Sequence, residues 1–238
     1  MRTLVFNIAG DYGQFKKPYS PMSPVSYPVP PPPAVLGIVG AILGLGKDDY
    51  HQHLGWDRVR IAVGLRAPLR VFRAALNLLQ TKDGTDAFFR PRAGQNTHTQ
   101  VPFEFLRDPC FRVYVAGLAE PVADALADQL RAGRTAYTVA LGLAPCLADV
   151  TWVGEWQAQP VSDHEWQATT AVPLSDGIQV NYEEGRRYHR LRIPAVMDGT
   201  RTVHRYQEIV LAEDGQPICG QGGAGVIHGI GSDRVAFL

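Results

Sequence analysis

FKKPYSPMSPVSYPVPPPPAVLGIVGAILGL, residues 15–45, runs from a loop crowded with proline and serine into an apolar helix. Prolines recur from 18 to 33, so no helix or interior strand fits there. Pro33 reads as the first helical residue, where a missing N–H costs nothing. The helix then spans 34–45 and closes near Gly46, a residue suited to a left-handed cap. It is apolar nearly all round, which predicts burial on more than one side. Gly37, Gly40 or Ala41, and Gly44 form a stripe without side chains. Each interior glycine costs up to ~1 kcal/mol against alanine, so close approach of a sheet or another backbone is expected along the stripe.

Working outward, residues 3–9 read as a strand before the loop. Residues 58–66 alternate, with Val59, Ile61, Val63 and Leu65 on one side and Arg58, Arg60, Ala62, Gly64 and Arg66 on the other. That pattern predicts a half-buried strand with an arginine-bearing outer face. Residues 69–79 continue it or form a second strand after Pro68. The polar stretch 80–100 is too long for a casual turn. Residues 111–115 read as a strand. An amphipathic helix opens at Pro121, buries Val122, Leu126 and Leu130, and closes at Gly133; residues 137–143 supply the next strand. The order is the ferredoxin-like, RRM-like βαββαβ arrangement of an α+β fold, with both helices on one face of an antiparallel sheet. The expected organisation is a first domain over 1–145 with an insertion at about 80–100, then a β-rich region over 146–238. No period of 20 to 50 residues repeats, so a solenoid is not expected.

Composition narrows the functional classes. The 238 residues are 45% hydrophobic and 19% charged, within the globular range. Cys110, Cys146 and Cys219 are isolated, which supports neither a disulfide framework nor a cysteine zinc site. The N-terminal run does not read as a signal peptide, and the longest apolar stretch falls short of the ~20 residues that span a bilayer. A soluble, cytoplasmic protein is expected. The charges balance at 23 basic and 23 acidic residues, which argues against indiscriminate binding along a nucleic acid. Lysine is confined to Lys16, Lys17, Lys47 and Lys82. Arginine, the prevailing cation, suits bidentate phosphate contacts and base stacking; codon bias in a GC-rich genome would also enrich it.

The proline loop followed by PPP-A-x-x-G-x-x-G-A-x-x-G resembles the N-terminal signature of the fifth CRISPR-associated protein family. TQVPFEFLRDPCFRVYVAG and AYTVALGLAPCLADV resemble later strands of that family, so the likeness spans roughly residues 3–150. The family comprises repeat-associated RNA-binding subunits of type I Cascade complexes, and the chain looks I-B-like. The resemblance implies a non-catalytic subunit that holds the 5′ handle of a CRISPR RNA. It would sit between the large subunit and the first backbone subunit, with a β-hairpin thumb inserted in its ferredoxin-like domain, and would meet target DNA only indirectly.

Single-stranded RNA is read by stacking on aromatic or arginine planes and by hydrogen bonds to base edges. Within the insertion, Phe88, Phe89, Arg90, Arg92, Asn96, Thr97, His98 and Gln100 offer that chemistry. Lys16, Lys17, Tyr19 and Tyr27 precede the glycine-rich helix, where loop amides and cations could hold phosphates; a purely structural loop competes. The segment 220–225 satisfies GxGxxG, yet too little chain follows for a βαβ cofactor unit. Gln221, Gly222 and Gly223 therefore approach RNA backbone or make a tight turn. Asp48, Asp49, His51 and His53 superficially resemble a metal cluster, but a solvated turn explains them better. No cofactor or metal is expected. The rival reading is a metal-independent endoribonuclease acting on precursor CRISPR RNA, with His98 and Lys82, or Tyr19 and Lys17, as its catalytic groups. A protein-only scaffold is a further alternative.

Overall fold

The computed structural model describes residues 1–80, 89–90, 94, 97–175 and 177–238. Strand β1 (Arg2–Ala9) leads through the proline loop into helix α1 (Pro32–Leu43), short helix α2 (Tyr50–Leu54) and strand β2 (Arg60–Leu65). A hairpin of β3 (Val71–Leu79) and β4 (His98–Arg107) precedes β5 (Cys110–Ala116), helix α3 (Glu120–Arg131) and β6 (Asp149–Gln157). The main sheet has the order β2-β5-β1-β6, antiparallel throughout. This is the ferredoxin-like α+β arrangement expected from the sequence.

Helix α1 ends at Gly44, whose φ of 75° makes the left-handed cap two residues earlier than expected. The glycine stripe has a specific occupant. The Tyr50 ring lies over α1, so a Cβ on Gly40 would stand 3.0 Å from the Tyr50 Cβ, and one on Gly37 would stand 3.9 Å from the hydroxyl. A side chain fills the space at Gly37 and Gly40, and at the helix end the expected backbone approach occurs, with the Ala136 and Tyr137 amides donating to the Ile42 and Ala41 carbonyls at 3.1 and 2.9 Å. Residues 48–53 are not simply a solvated turn: His51 is 1% exposed inside α2.

The strand closing the main sheet is β6, not residues 137–143. That earlier segment turns back on itself through Gly142 at φ 90° and an Ala140–Leu147 bridge. It delivers the Leu141 carbonyl to the Gln14 amide at 2.8 Å. β6 is a sheet edge with a bulged register opposite Val5 and Phe6. Val150 and Trp152 pack on the helix side, and the Arg131 guanidinium sits 5.2 Å from the Trp152 ring centroid. An edge strand of mixed polarity gives a weak period-2 signal.

The outer face of β2 is also covered. Val5, Ala62 and Tyr114 are buried there against Ala158, Ile230 and Val235. The Ala171 amide donates to the Val63 carbonyl at 2.9 Å, and the Leu238 amide to the Ile61 carbonyl at 2.9 Å. Ala62 and Gly64 are small because this second layer lies directly on them, while Arg60 and Arg66 at the ends stay exposed. The arginine-faced strand expected from alternation is thus buried on both sides in its middle.

The remaining chain is β-rich, as expected. Strands β7 (Tyr188–Met197) and β8 (Val203–Ala212) form a long hairpin, and β9 (Ile218–Gly222) pairs with residues 165–168 and 178–181. Ile193, Ile209, Leu211 and Leu238 join the same core as α1, β1 and β5. None of the described helices is long and apolar enough to cross a membrane.

Candidate functional site

The proline loop is held to the β3–β4 hairpin by its backbone. Tyr12–Gly13 pairs with Leu106 and Arg107 of β4, and Phe15–Lys16 pairs with Ser26–Tyr27. Glu104 of β4 donates its amide to the Pro24 carbonyl and accepts from the Ser26 amide, while its carboxylate also pairs with Arg73 of β3 at 2.9 Å. These bonds turn Phe15 and Tyr27 into the core, where Phe15 meets Phe111 edge-on. Alternation then leaves Lys16 outside. Lys17 stands over the Tyr27 ring at 5.7 Å, and Tyr19 is exposed.

The insertion is longer than residues 80–100, because its arms are β3 and β4 themselves. Residues 69–79 therefore belong to the hairpin and not to the main sheet. Its pleat divides the side chains. Phe72, Ala74, Leu76 and Leu78 share a face with Val101, Phe103 and Phe105, and Tyr12 packs beside them 5.7 Å from Phe72. Arg73, Asn77, His98 and Gln100 occupy the opposite face. Thr97 accepts the Gln80 amide and bonds the His98 ring at 2.9 Å. Phe89 and Arg90 are exposed. Phe88, Arg92 and Asn96, with Lys82, lie outside the described residues.

A cleft of about 580 Å³ opens where the loop and the start of α1 face the β7–β8 hairpin. Lys16, Tyr27, Pro31, Pro33 and Tyr50 line one side; Pro194, Arg201 and Tyr206 line the other. Burial pushes the Tyr27 hydroxyl's pKa up, and the nearby Tyr19 and Tyr206 push in the same direction. Burial also raises that of Tyr50, opposed by the positive Arg201. Both phenols stay protonated at neutral pH. The first turn of α1 cannot act as an anion nest. Residues 30–33 are prolines without N–H groups, and the Ala34 and Val35 amides are both spent on the Pro31 carbonyl. At the start of α1, phosphate ligands would therefore be side chains rather than amides.

Sequence reasoning missed Tyr50, Arg192, Arg201 and Tyr206. Arg201 sits in the β7–β8 turn with φ 65°, a left-handed backbone uncommon outside glycine. Asp198 organises that turn. Its Oδ1 accepts from the amides of Thr200 and Thr202 at 2.9 and 3.0 Å, and its Oδ2 pairs with His204 at 2.7 Å. These donors, His204 first, hold the carboxyl well below the usual carboxylate range. His204 in turn stacks on Trp56 at 5.2 Å. On β7, the Arg192 guanidinium lies 4.6 Å from the Tyr206 ring centroid. The one available signal was the Asp-Gly-Thr turn between two strand patterns, followed by an Arg and Tyr-rich run.

Lys16, Lys17, Tyr19 and Tyr27 are brought together. Gln221 and Gly222 lie on a different small sheet, with Gly223 just beyond the strand's end. There Trp166 donates its indole N–H to the Gly222 carbonyl at 2.9 Å, and Gln221 bonds Gln179. A Cβ on Gly222 would collide with the Gly177 carbonyl. Packing accounts for that glycine. Among the described residues no three His, Cys, Asp or Glu side chains gather as a metal site.

The fold and the sequence both have relatives. A crystal structure of a CRISPR protein from Archaeoglobus fulgidus superposes with a TM-score of 0.59 at 13% identity, covering 99% of this chain and 98% of that one. A chain of a CRISPR RNA-guided surveillance complex gives 0.53 at 18% identity, covering 97% and 95%. No curated protein matches the sequence. The family described as CRISPR-associated protein (Cas_Cas5) matches residues 3–209, nearly the whole length. The chain therefore belongs to the Cas5 family of CRISPR-associated proteins.

Proposed function

We propose that the chain is a non-catalytic CRISPR RNA-binding subunit of a type I Cascade effector complex, holding the 5′ handle of the guide. In this reading it contacts the large subunit on one side and the first backbone subunit on the other. The observation that carries the proposal is the set of cations facing open surface around the cleft. Lys16, Lys17, Arg192 and Arg201 have no acidic partner within 4.0 Å among the described residues, in a chain whose other arginines often do. Unpaired cations beside aromatic rings are the chemistry of single-stranded RNA contact. The β3–β4 hairpin, tied to the same loop through Glu104, extends that surface, and its Phe89 and Arg90 suit a strand crossing it. Gln221, Gly222 and Gly223 are proposed as a secondary contact only.

The cleft is poorly equipped for cleavage. Burial raises the pKa of the buried Tyr27 and the half-buried Tyr50, which makes both poor bases near neutral pH. His98 stands six residues along β4 from Glu104, roughly 20 Å in an extended strand, so it belongs to the hairpin and supplies no base to the cleft. The test is incubation of purified protein with labelled repeat RNA in EDTA. Retention without cleavage is expected. Specific cleavage that His98→Ala abolishes would replace this reading with the endoribonuclease one. In an assembled complex, Arg90→Ala with Arg92→Ala should weaken guide retention; unchanged retention would remove the hairpin from the RNA path.

A further inference from the structure

We infer that the cleft between the proline loop and the β7–β8 hairpin is a single-nucleotide pocket, which takes one extruded RNA base among tyrosine and proline faces and its phosphate on Lys16 and Arg201. The inference rests on the RNA-binding reading above and adds a site within it. Its size, about 580 Å³, lies in the range of small-ligand pockets and exceeds what a lone phosphate needs. Its walls are flat and apolar, from Pro31, Pro33, Tyr50 and Tyr206. Flat apolar walls with a few polar groups at the rim suit a purine or pyrimidine ring, which stacks in a sequence-tolerant way. The rim carries the charge: Lys16 from the first half and Arg201 from the second. Phosphate binding by the first-turn amides of α1 is closed off by the prolines, which leaves Lys16 and Arg201 as the charged anion ligands among the cleft's described lining.

The second half builds its part of the site in advance. Arg201 occupies a left-handed backbone conformation, of the kind that persists only when its surroundings enforce it. Asp198 does so by gathering the amides of residues 200 and 202 and the ring of His204, and the Arg201 amide closes the turn on the Asp198 carbonyl at 3.0 Å. His204 on Trp56 anchors the same turn to the first half. Arg201 is thereby held at the same cleft as Tyr50, and Tyr50 is seated by the glycines of α1. Asp198 is a positioning residue for Arg201, and the β7–β8 hairpin completes a site that the proline loop only begins.

The test uses the full chain and single-stranded CRISPR repeat RNA carrying 2-aminopurine at one position at a time. One position should show a large emission change on binding, and its neighbours should not. Tyr206→Ala should weaken binding at least fivefold and remove that change, with Tyr206→Phe restoring both. Arg201→Ala should reduce the salt slope of log K by about 0.7, one phosphate's share on a single strand. Asp198→Asn should reduce the slope similarly, and the double variant should be no worse than Arg201→Ala alone, since both act through one contact. Wild-type binding by Arg201→Ala and Tyr206→Ala, while Arg90→Ala weakens it, would overturn the pocket and leave RNA binding on the hairpin. No binding of repeat RNA by the wild-type chain, alone or assembled, would overturn the functional reading and this inference with it. Competition by free adenosine or cytidine monophosphate at micromolar concentration would overturn the RNA-strand assignment in favour of a free-nucleotide site.

Discussion

Replacing Gly64 with alanine measures how closely the second layer rests on the main sheet. Gly64 lies in the middle of β2, and a Cβ built there falls inside the Thr169 carbonyl oxygen, a backbone atom that no rotamer can move. Residues 169–171 must then retreat, and the hydrogen bond from the Ala171 amide to Val63 lengthens from 2.9 Å. Losing that bond costs about 1 kcal/mol, and the overpacking costs about 1–3 kcal/mol more. Alanine's advantage over glycine inside a strand returns about 0.5–1 kcal/mol. The net is a loss of about 2 kcal/mol, which for a chain of this size lowers Tm by roughly 4–8 °C. The assay is a thermal melt with a urea titration beside it, so that a changed m-value exposes any altered reference state. Gly229→Ala is the matched control. It is also a strand glycine, but its nearest neighbour would be the Gln159 carbonyl oxygen at 4.0 Å, so it should be neutral or slightly stabilising. A Gly64→Ala protein as stable as the control would refute the close backbone approach and the two-sided burial of β2.

Asp233 accepts from the Tyr114 hydroxyl at 2.7 Å and the Arg112 guanidinium at 3.0 Å, in a part-buried node under the second layer. Asp233→Ala should cost about 2–4 kcal/mol in urea unfolding, and adding Tyr114→Phe should recover part of it; a cost under about 0.5 kcal/mol would mean that water already satisfies the node. Burial lowers the pKa of His51 below its ordinary value of 6.5, so the unfolded chain binds its proton first. Stability from this residue is complete above about pH 6.5 and is lost as pH falls toward the folded value. Tm measured from pH 8 to 5 should fall more steeply for the wild type than for His51→Gln, and parallel curves would count against the buried neutral imidazole. In α1, Gly37→Ala should stabilise by about 0.5–1 kcal/mol, because only the Tyr50 hydroxyl is near, at 3.9 Å. Gly40→Ala should gain less or lose, since Tyr50 must shift; equal gains in calorimetry would mean that the ring does not lie on the stripe.

The βαββαβ order was legible because β1, α1, β5 and α3 each carry a strong local period with clear punctuation. The closing strand was not. Residues 137–143 look more like a strand than β6 does, yet Gly142 crosses the Gln14 backbone so tightly that a Cβ there would collide with it, and the segment has to turn. The hairpin was placed but undersized, since Val71 to Leu79 has the apolar content of a core strand while largely facing solvent. Half of the cleft was legible, through Lys16 and Tyr27. The other half comes from residues more than 160 positions away, and nothing in local pattern announces that Arg201 and Tyr206 face the proline loop. The Asp198 turn could have been read as a turn, but not as a device for presenting Arg201.

The covering of the main sheet has a consequence for synthesis. Its outer face at Val5, Ala62 and Tyr114 is closed by Ile230 and Val235, and Leu238 hydrogen-bonds back to Ile61. The βαββαβ unit can assemble once β6 has left the ribosome, but one side of its sheet is only partly covered, by Ala158 and residues 169–171, until some 80 further residues have been translated. At ~5–20 residues per second that exposure lasts on the order of seconds. A half-dressed sheet of this kind is sticky, and a nascent chain paused within β7 or β8 would be a natural client for a chaperone.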